Sequence, residues 1–450
     1  MPRWRHQEAA YQFAKDREAT MLAMWMGTGK SRVACDLLKY WKTQRVLVLC
    51  PVSVMAVWRR EFCKWAPLEY LVKILDKGTT KRQAEIAAKI YNEPEPIAVV
   101  QNYESAIMPA FRDFLLGRAW DAIVLDESHR VKAHNTKVSR LAASLSQRGK
   151  RRLCLTGTPM PHSPLDVFGQ CRFLDYRVFG RNWMPFLYSF AVRGNPMIPQ
   201  QITGYRNLDV LQERFGRLAY QVDASVLELP EAQHHVRAFS LPAKALRVYN
   251  DLARDFIAAL DDGEVVTAAN VLVKTLRLRQ VVSGFLQPDE SDALQEIHDG
   301  KKKLLKDLLE DLIGEPVVVF CEFSQDLRIV REVAGGLGLT YGEVSGRQKD
   351  LTEHATMPEG IDVLGVQYQA GGVGVDFTRA RYCVFYSPTY SLGNYDQAAA
   401  RLHRPGQEKC VQFYHLVASG TIDEAVYKAL DAKRDVIESV LGALRARQAA

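Results

Sequence analysis

Short apolar runs of strand length recur along the first part of the chain, separated by polar-apolar segments of helical length. Arg45-Val46-Leu47-Val48-Leu49-Cys50 is apolar nearly throughout and is closed by Pro51, as expected of a strand buried on both faces of a parallel sheet. Pro96–Val100, Ala122–Leu125 and Arg152–Leu155 follow the same pattern. This alternation predicts an α/β fold with a doubly wound parallel sheet, with ligand chemistry in the loops that follow the strands. From about 160 to 225 the rhythm is lost in favour of aromatics, arginine and proline, as in Phe179-Gly180-Arg181-Asn182-Trp183. This stretch predicts a helical insert. The chain crosses over around 224–241, where Leu229-Pro230 precedes the strand-like His235–Phe239. A helical stretch follows over about 243–282. The α/β pattern returns at Pro316–Phe320, Ile361–Leu364 and Tyr382–Phe385, and the tail after Thr421 is helical. Two lobes are therefore expected: residues 1–225 with the insert, and residues 226–450, opening on a helical segment of about 243–300 and ending in helices.

Composition narrows the class only modestly. The 450 residues are 47% hydrophobic and 25% charged, with a net charge of +7, which permits a polyanionic partner without requiring one. No apolar run reaches the length of about 18 residues needed for a membrane span. The start, Pro2-Arg3-Trp4-Arg5-His6-Gln7, lacks an apolar signal core, so a cytoplasmic location without membrane association is expected. The eight cysteines form no C-x-x-C pair and read as free, mostly buried thiols in a reducing compartment.

Two sets of residues carry chemistry. Met26-Gly27-Thr28-Gly29-Lys30-Ser31 lies between strand-like Met21–Met24 and a helix beginning near Ser31. Glycines there let backbone N–H groups face phosphates at a helix N-terminus. Lys30 would reach the β/γ-phosphates of ATP, and the Ser31 hydroxyl would bind Mg2+. Met24 stands where the pattern has its first glycine, and a chance glycine turn is the competing reading. Asp126-Glu127-Ser128-His129 directly follows an apolar strand. Asp126 would hold Mg2+ and Glu127 would polarise the attacking water, although Asp-Glu after a strand is by itself commonly a solvated loop end. Far along the chain, Arg401 and Arg404 are spaced to point one way from a helix and could neutralise charge on a transferred phosphoryl group. A solvated pair is the alternative.

In order, the phosphate loop, Asp126-Glu127-Ser128-His129, Leu155-Thr156-Gly157-Thr158-Pro159 and Arg401-Leu402-His403-Arg404-Pro405-Gly406-Gln407 resemble the motifs of superfamily-two helicases. The His-Arg-x-Gly-Gln ending is similar to the SWI/SNF-related branch of DNA translocases. The resemblance runs from Gln7 to about Leu430. It implies two RecA-like lobes of the P-loop NTPase type that hydrolyse ATP with Mg2+ at their interface while tracking double-stranded DNA without sequence preference. A strand-separating or fork-remodelling helicase of the same superfamily is the alternative.

The resemblance also implies residue roles. Gln7, expected just before a helix, would read adenine. Gly27, Thr28, Gly29, Lys30, Ser31, Gly374 and Asp376 would line the nucleotide, and Lys30, Asp126, Glu127, Arg401 and Arg404 would be catalytic. His129, Thr156, Thr158 and Gln397 would couple nucleotide state to lobe closure, and Ser53, Asn102, Tyr103, Gly371 and Gly372 would face nucleic acid. Ser128 departs from the family's usual glycine or alanine, and Asp376 from its common asparagine. With no zinc cluster or reader module recognisable, target choice would fall to a protein partner or to DNA structure. The compact length suggests a bacterial cell or a phage-infected host.

Other features read as structural. Trp58, Phe62 and Trp65 keep helical spacing and suggest packing. Gly335-Gly336-Leu337-Gly338 reads as a helix-ending turn. His234 and His235 on a strand face opposite sides. Lys301-Lys302-Lys303 opens an amphipathic helix, as a solvated face or, less favoured, a DNA contact.

Overall fold

The computed structural model describes residues 2–66, 70–194, 202–261, 268–287, 295–371 and 374–449. The chain forms two compact units, Met1–Glu228 together with Lys433–Ala450, and Leu229–Ala432.

In the first unit the apolar runs become strands. These are β1 (Ala19–Met24), β2 (Arg45–Cys50), β3 (Leu71–Ile74), β4 (Ile97–Asn102), β5 (Trp120–Asp126) and β6 (Gly149–Thr156). Between them run α1 (Arg5–Ala14), α2 (Lys30–Tyr40), α3 (Met55–Trp65), α4 (Thr80–Tyr91), the short α5 (Tyr103–Ala106), α6 (Pro109–Leu116) and α7 (Lys137–Leu145). With a later strand, β9 (Ala219–Val222), they build a seven-stranded sheet in the order β3-β4-β2-β5-β6-β1-β9, parallel throughout. Polar caps set helix starts: the Thr79 and Thr136 side chains accept from Arg82 N and Ser139 N at the heads of α4 and α7.

The segment expected to be a helical insert is mixed. It holds α8 (Val167–Asp175), α9 (Trp183–Phe190), the antiparallel pair β7 (Ala191–Arg193) and β8 (Ile202–Tyr205), α10 (Leu208–Gly216), and β9 (Ala219–Val222). Strand β9 joins the main sheet beside β1. Tyr220 and Gln221 interrupt its apolar pattern, which hid it from the periodicity.

The second unit contains β10 (Ala232–Phe239), α11 (Ala243–Asp261), α12 (Ala268–Ser283), β11 (Phe285–Leu286), β12 (Gln295–Glu296), α13 (Gly300–Asp311), β13 (Val317–Cys321), α14 (Ser324–Gly336), β14 (Tyr341–Val344) and β15 (Val363–Gln367). They are followed by α15 (Tyr368–Gly371), β16 (Tyr382–Phe385), α16 (Leu392–Ala399), β17 (Val411–Ala418) and α17 (Ile422–Ala449). Its six-stranded sheet is ordered β10-β17-β16-β13-β15-β14, again parallel. Leu305, Leu309, Val319, Leu327, Val330 and Val384 form part of one core on that sheet. Gly338, at φ +69°, follows the end of α14, which makes the glycine run a helix-ending turn.

The end of α17 belongs to the first unit, which departs from an expected second lobe of 226–450. Gln448 Nε2 donates to Ala219 O at 2.8 Å, and Arg445 pairs with Asp223 at 3.1 Å. The Lys301–Lys303 run also needs correction. Lys301 is 1% exposed, and its Nζ lies 2.7 Å from Asp423 Oδ2, while Lys302 and Lys303 pair with Glu332 and Asp299. Charge pattern alone could not show that an acid far along the chain buries the first of the three. A buried pair is costly to break because the remaining charge stays desolvated. Lys301→Met should therefore destabilise the second unit by roughly 3–5 kcal/mol, read as a lower urea midpoint for that unit.

Candidate nucleotide site

After β1 the chain turns through Trp25–Gly29, with Gly27 and Gly29 at φ +81° and +83°. These left-handed conformations favour glycine. A Cβ on Gly29 would also fall 2.4 Å from Gln7 Nε2. Helix α2 then begins at Lys30 without a side-chain cap. Its first N–H groups and the helix field would suit a phosphate. Lys30 Nζ donates to Met24 O at 2.9 Å and Trp25 O at 3.2 Å, so the ammonium lies against the loop it would serve. Ser31 is the second residue of α2.

The loop is braced from α1. Gln7 Nε2 donates to Thr28 O at 3.0 Å, and His6 Nε2 lies at the same distance from that oxygen. Gln7 Oε1 accepts from Trp4 N. Gln7 thus lies inside α1, buried, rather than just before a helix, and its carboxamide is committed to the loop. The Thr28 side chain is buried too, its hydroxyl donating to Trp25 O, so only its backbone can serve a nucleotide.

Asp126 ends β5 and is 6% exposed. Its Oδ2 accepts from Trp58 Nε1 at 2.9 Å, its Oδ1 from Glu127 N at 2.9 Å, and its carbonyl from the Tyr103 hydroxyl at 2.8 Å. Burial, then the neighbouring Glu127 charge, raise the Asp126 carboxyl to about 7, against the opposing pull of Trp58 and Lys30. Glu127 itself sits at φ +49°, ψ +52°, a left-handed conformation that strains any residue with a Cβ. His129 Nδ1 lies 3.4 Å from Glu127 Oε2 and 3.4 Å from Thr156 Oγ1. Thr156 Oγ1 accepts from Thr158 N at 3.1 Å. Gly157 packs so tightly on the phosphate loop that a Cβ there would lie 2.4 Å from Met26 Sδ. The three loops meet because β5, β6 and β1 are neighbours in the sheet. Hard oxygen donors, Asp126 and the Ser31 hydroxyl, suit Mg2+. A divalent cation there would offset the charge that burial disfavours on Asp126. Among the described residues no group of three or more His, Cys, Asp or Glu forms a metal cage, and the Mg2+ chemistry proposed here needs none.

In the second unit Arg401 and Arg404 lie in the turns after α16, not on a helix as their spacing suggested. Their Nη1 atoms converge on Val375 O, at 3.4 and 3.1 Å. Arg404 Nε lies 3.6 Å from Asp376 Oδ2, while Asp376 Oδ1 accepts from Thr378 N and its hydroxyl. Gly374, at φ +78°, opens this turn, and Gln397 is buried on α16.

The expected nucleic-acid contacts divide. Ser53 is exposed in a 3-10 turn before α3, and Gly371 ends α15. Gly372 lies outside the described residues. Asn102 and Tyr103 are buried: Asn102 caps α5 through Ser105 N at 2.7 Å, and Tyr103 holds Asp126. Their side chains are committed to the protein, which leaves their backbone as the part that could face nucleic acid. Two partners of the Asp126–Ser128 turn escaped the sequence. Helical spacing marked Trp58 as buried but gave no hint that its N–H would meet Asp126, and nothing singled out Gln170, which accepts from Ser128 Oγ at 2.7 Å.

Two parallel-sheet units of the RecA-like kind, the first with a phosphate loop beside a buried Asp-Glu pair, define a P-loop NTPase. The family model described as SNF2-related domain matches residues 6–284, and that of the helicase conserved C-terminal domain matches 300–406. The chain belongs to the SNF2-related family and is a helicase-like ATPase. It is 26% identical to a zebrafish (Danio rerio) chromodomain-helicase-DNA-binding protein 1-like, over 95% of this chain and 42% of that protein. It is 25% identical to protein p41 of Acyrthosiphon pisum secondary endosymbiont phage 1, over 94% of each. The chain spans 47% of a mouse (Mus musculus) relative named like the zebrafish protein, which it matches at 27% identity over 92% of its own length. Among solved structures, the Sulfolobus solfataricus SWI2/SNF2 ATPase core in complex with dsDNA aligns over 98% of this chain and 93% of that one, at 20% identity and a TM-score of 0.44. No described helix is long and apolar enough to cross a membrane.

Trp58→Phe should preserve packing but remove the bond to Asp126. Loss of such an outer partner typically weakens metal affinity by about 10-fold or more, so the Mg2+ concentration giving half-maximal ATPase should rise by about that factor. An unchanged Mg2+ titration would show that the bond does not tune the site.

Proposed function

We propose that this chain is a DNA-dependent ATPase that translocates along double-stranded DNA, with Arg401 and Arg404 of the second unit completing the chemistry begun in the first. The observation that supports this most is the convergence of Lys30, Asp126-Glu127 and Thr156–Thr158 on adjacent strand ends of one sheet. Bound ATP supplies the phosphoryl group and Mg2+ the charge that neutralises its oxygens. Lys30 would leave the Met24 and Trp25 carbonyls for the β- and γ-phosphates, while Ser31 and Asp126 would hold Mg2+. Glu127 orients the attacking water, and His129 links it to Thr156, so hydrolysis is felt in the Thr156–Thr158 loop. Arg401 and Arg404, now on Val375 O, would turn to the developing charge. Gln7 would serve adenine by fixing the loop, Gly27, Thr28 and Gly29 would offer backbone groups, and Gly374, Asp376 and Gln397 would sense nucleotide state from the second unit.

DNA would be tracked along its phosphates through positions such as Ser53 and Gly371, giving weak sequence preference and strong salt dependence. Names among the relatives, a chromodomain-helicase-DNA-binding protein and a DNA repair and recombination protein, support a DNA substrate. The phage relative supports work in the cytoplasm of a bacterial or phage-infected cell, with a protein partner supplying targeting.

Lys30→Ala should abolish turnover, and substantial residual ATPase would remove the phosphate-loop assignment. Arg404→Ala should leave ATP binding intact and lower kcat by about 10³-fold, measured by nucleotide binding and steady-state hydrolysis side by side. The function itself is tested by ATPase rate with no nucleic acid, duplex DNA, single-stranded DNA and RNA across salt. Strong stimulation by duplex that fades with salt is expected; preference for single strands or RNA would overturn it.

A further inference from the structure

Gln170 on α8 has hydrogen bonds to residues outside those assigned above to ATP, Mg2+ or water, yet it is fully buried and both ends of its carboxamide are bonded. Its Oε1 accepts from Ser128 Oγ at 2.7 Å, and its Nε2 donates to Pro159 O at 2.7 Å and to Asp166 O at 3.0 Å. Ser128 is likewise 0% exposed. A carboxamide bonded at both ends has one orientation, so Ser128 and Pro159 are fixed relative to each other. One is the residue directly after Glu127. The other is the residue directly after Thr158.

Glu127 needs such fixing. Its left-handed backbone would relax if the flanking residues were free. On one side Asp126 Oδ1 accepts from Glu127 N, and Arg130 N donates to Glu127 O at 3.0 Å. On the other, the anchored side chain at Ser128 holds the chain as it leaves Glu127.

We propose that Gln170 is a positioning residue for hydrolysis. Through Ser128 it holds the strained Glu127 backbone in place, and through Pro159 it ties that placement to the Thr156–Thr158 loop. The tether acts on the water-orienting group and leaves the phosphate loop untouched, so it governs turnover rather than ATP affinity. A pair that merely satisfies itself in the core would affect stability alone.

The inference rests on the reading of Glu127 as the water-orienting group, which Glu127→Gln checks separately. For the tether, Ser128→Ala, Gln170→Met and the double variant are assayed well below their unfolding midpoints, with duplex DNA present. Each single variant is expected to lower kcat about tenfold with KM for ATP unchanged. The double variant is expected to fall no further than either single one, since both cut the same link, while losses in unfolding midpoint accumulate. Wild-type kcat in the folded single variants, or kcat losses that multiply in the double, would overturn the proposal. If a Gln170 variant does not fold, Ser128→Ala decides by the same split between kcat and KM. Should Glu127→Gln keep its turnover, the function reading fails first; should it be inactive while the tether variants turn over normally, the tether alone fails.

Discussion

A carboxylate buried at the end of a strand organises the first unit. Asp126 is 6% exposed and sits beside Glu127, so ionising it is costly. The surrounding structure answers that cost with specific donors. Trp58 reaches one carboxylate oxygen, the Glu127 amide the other, and the Tyr103 hydroxyl pins the backbone carbonyl. Each donor comes from a different element, α3, the turn after β5 and α5. Loss of any of them would shift the charge that the proposed Mg2+ would meet.

The same constraint explains the strain next door. With Asp126 facing inward, Glu127 must leave the strand in a left-handed conformation to present its own carboxylate, and His129 and Ser128 then hold the following turn. Strain of this kind persists only where neighbours over-determine it. Here they do so through both adjoining loops, the route by which, in the proposed function, a change at bound phosphates would be felt at Thr156 and Thr158. The second unit shows a parallel economy: one carbonyl, that of Val375, receives both arginines, and Asp376 supplies the counter-charge.

Much of this was legible in the sequence. The runs that became β2, β4, β5, β13 and β16 are buried on both faces, so continuous apolar character marks them without ambiguity. Met26–Ser31 and Asp126–His129 could be placed directly after strands because their expected chemistry demands fixed residue types there. What escaped depends on partners distant in sequence. Lys301 looks like the start of a solvated face until Asp423 is brought to it, and Tyr103 looks outward until Asp126 is seen behind it. Short strands such as β9, with polar residues inside their pattern, cannot be separated from loop by periodicity. Arg401 and Arg404 keep a helical spacing by chance in a turn. Spacing reports periodicity, not which way a chain bends after a helix ends.

The central claim, that hydrolysis drives movement along intact duplex, is tested most directly by displacement of a third strand bound in the major groove of a duplex. The account predicts ATP-dependent release of the third strand that Lys30→Ala abolishes, with the duplex itself left paired. Separation of the duplex strands, or vigorous duplex-stimulated hydrolysis with no release of the third strand in either orientation, would contradict it.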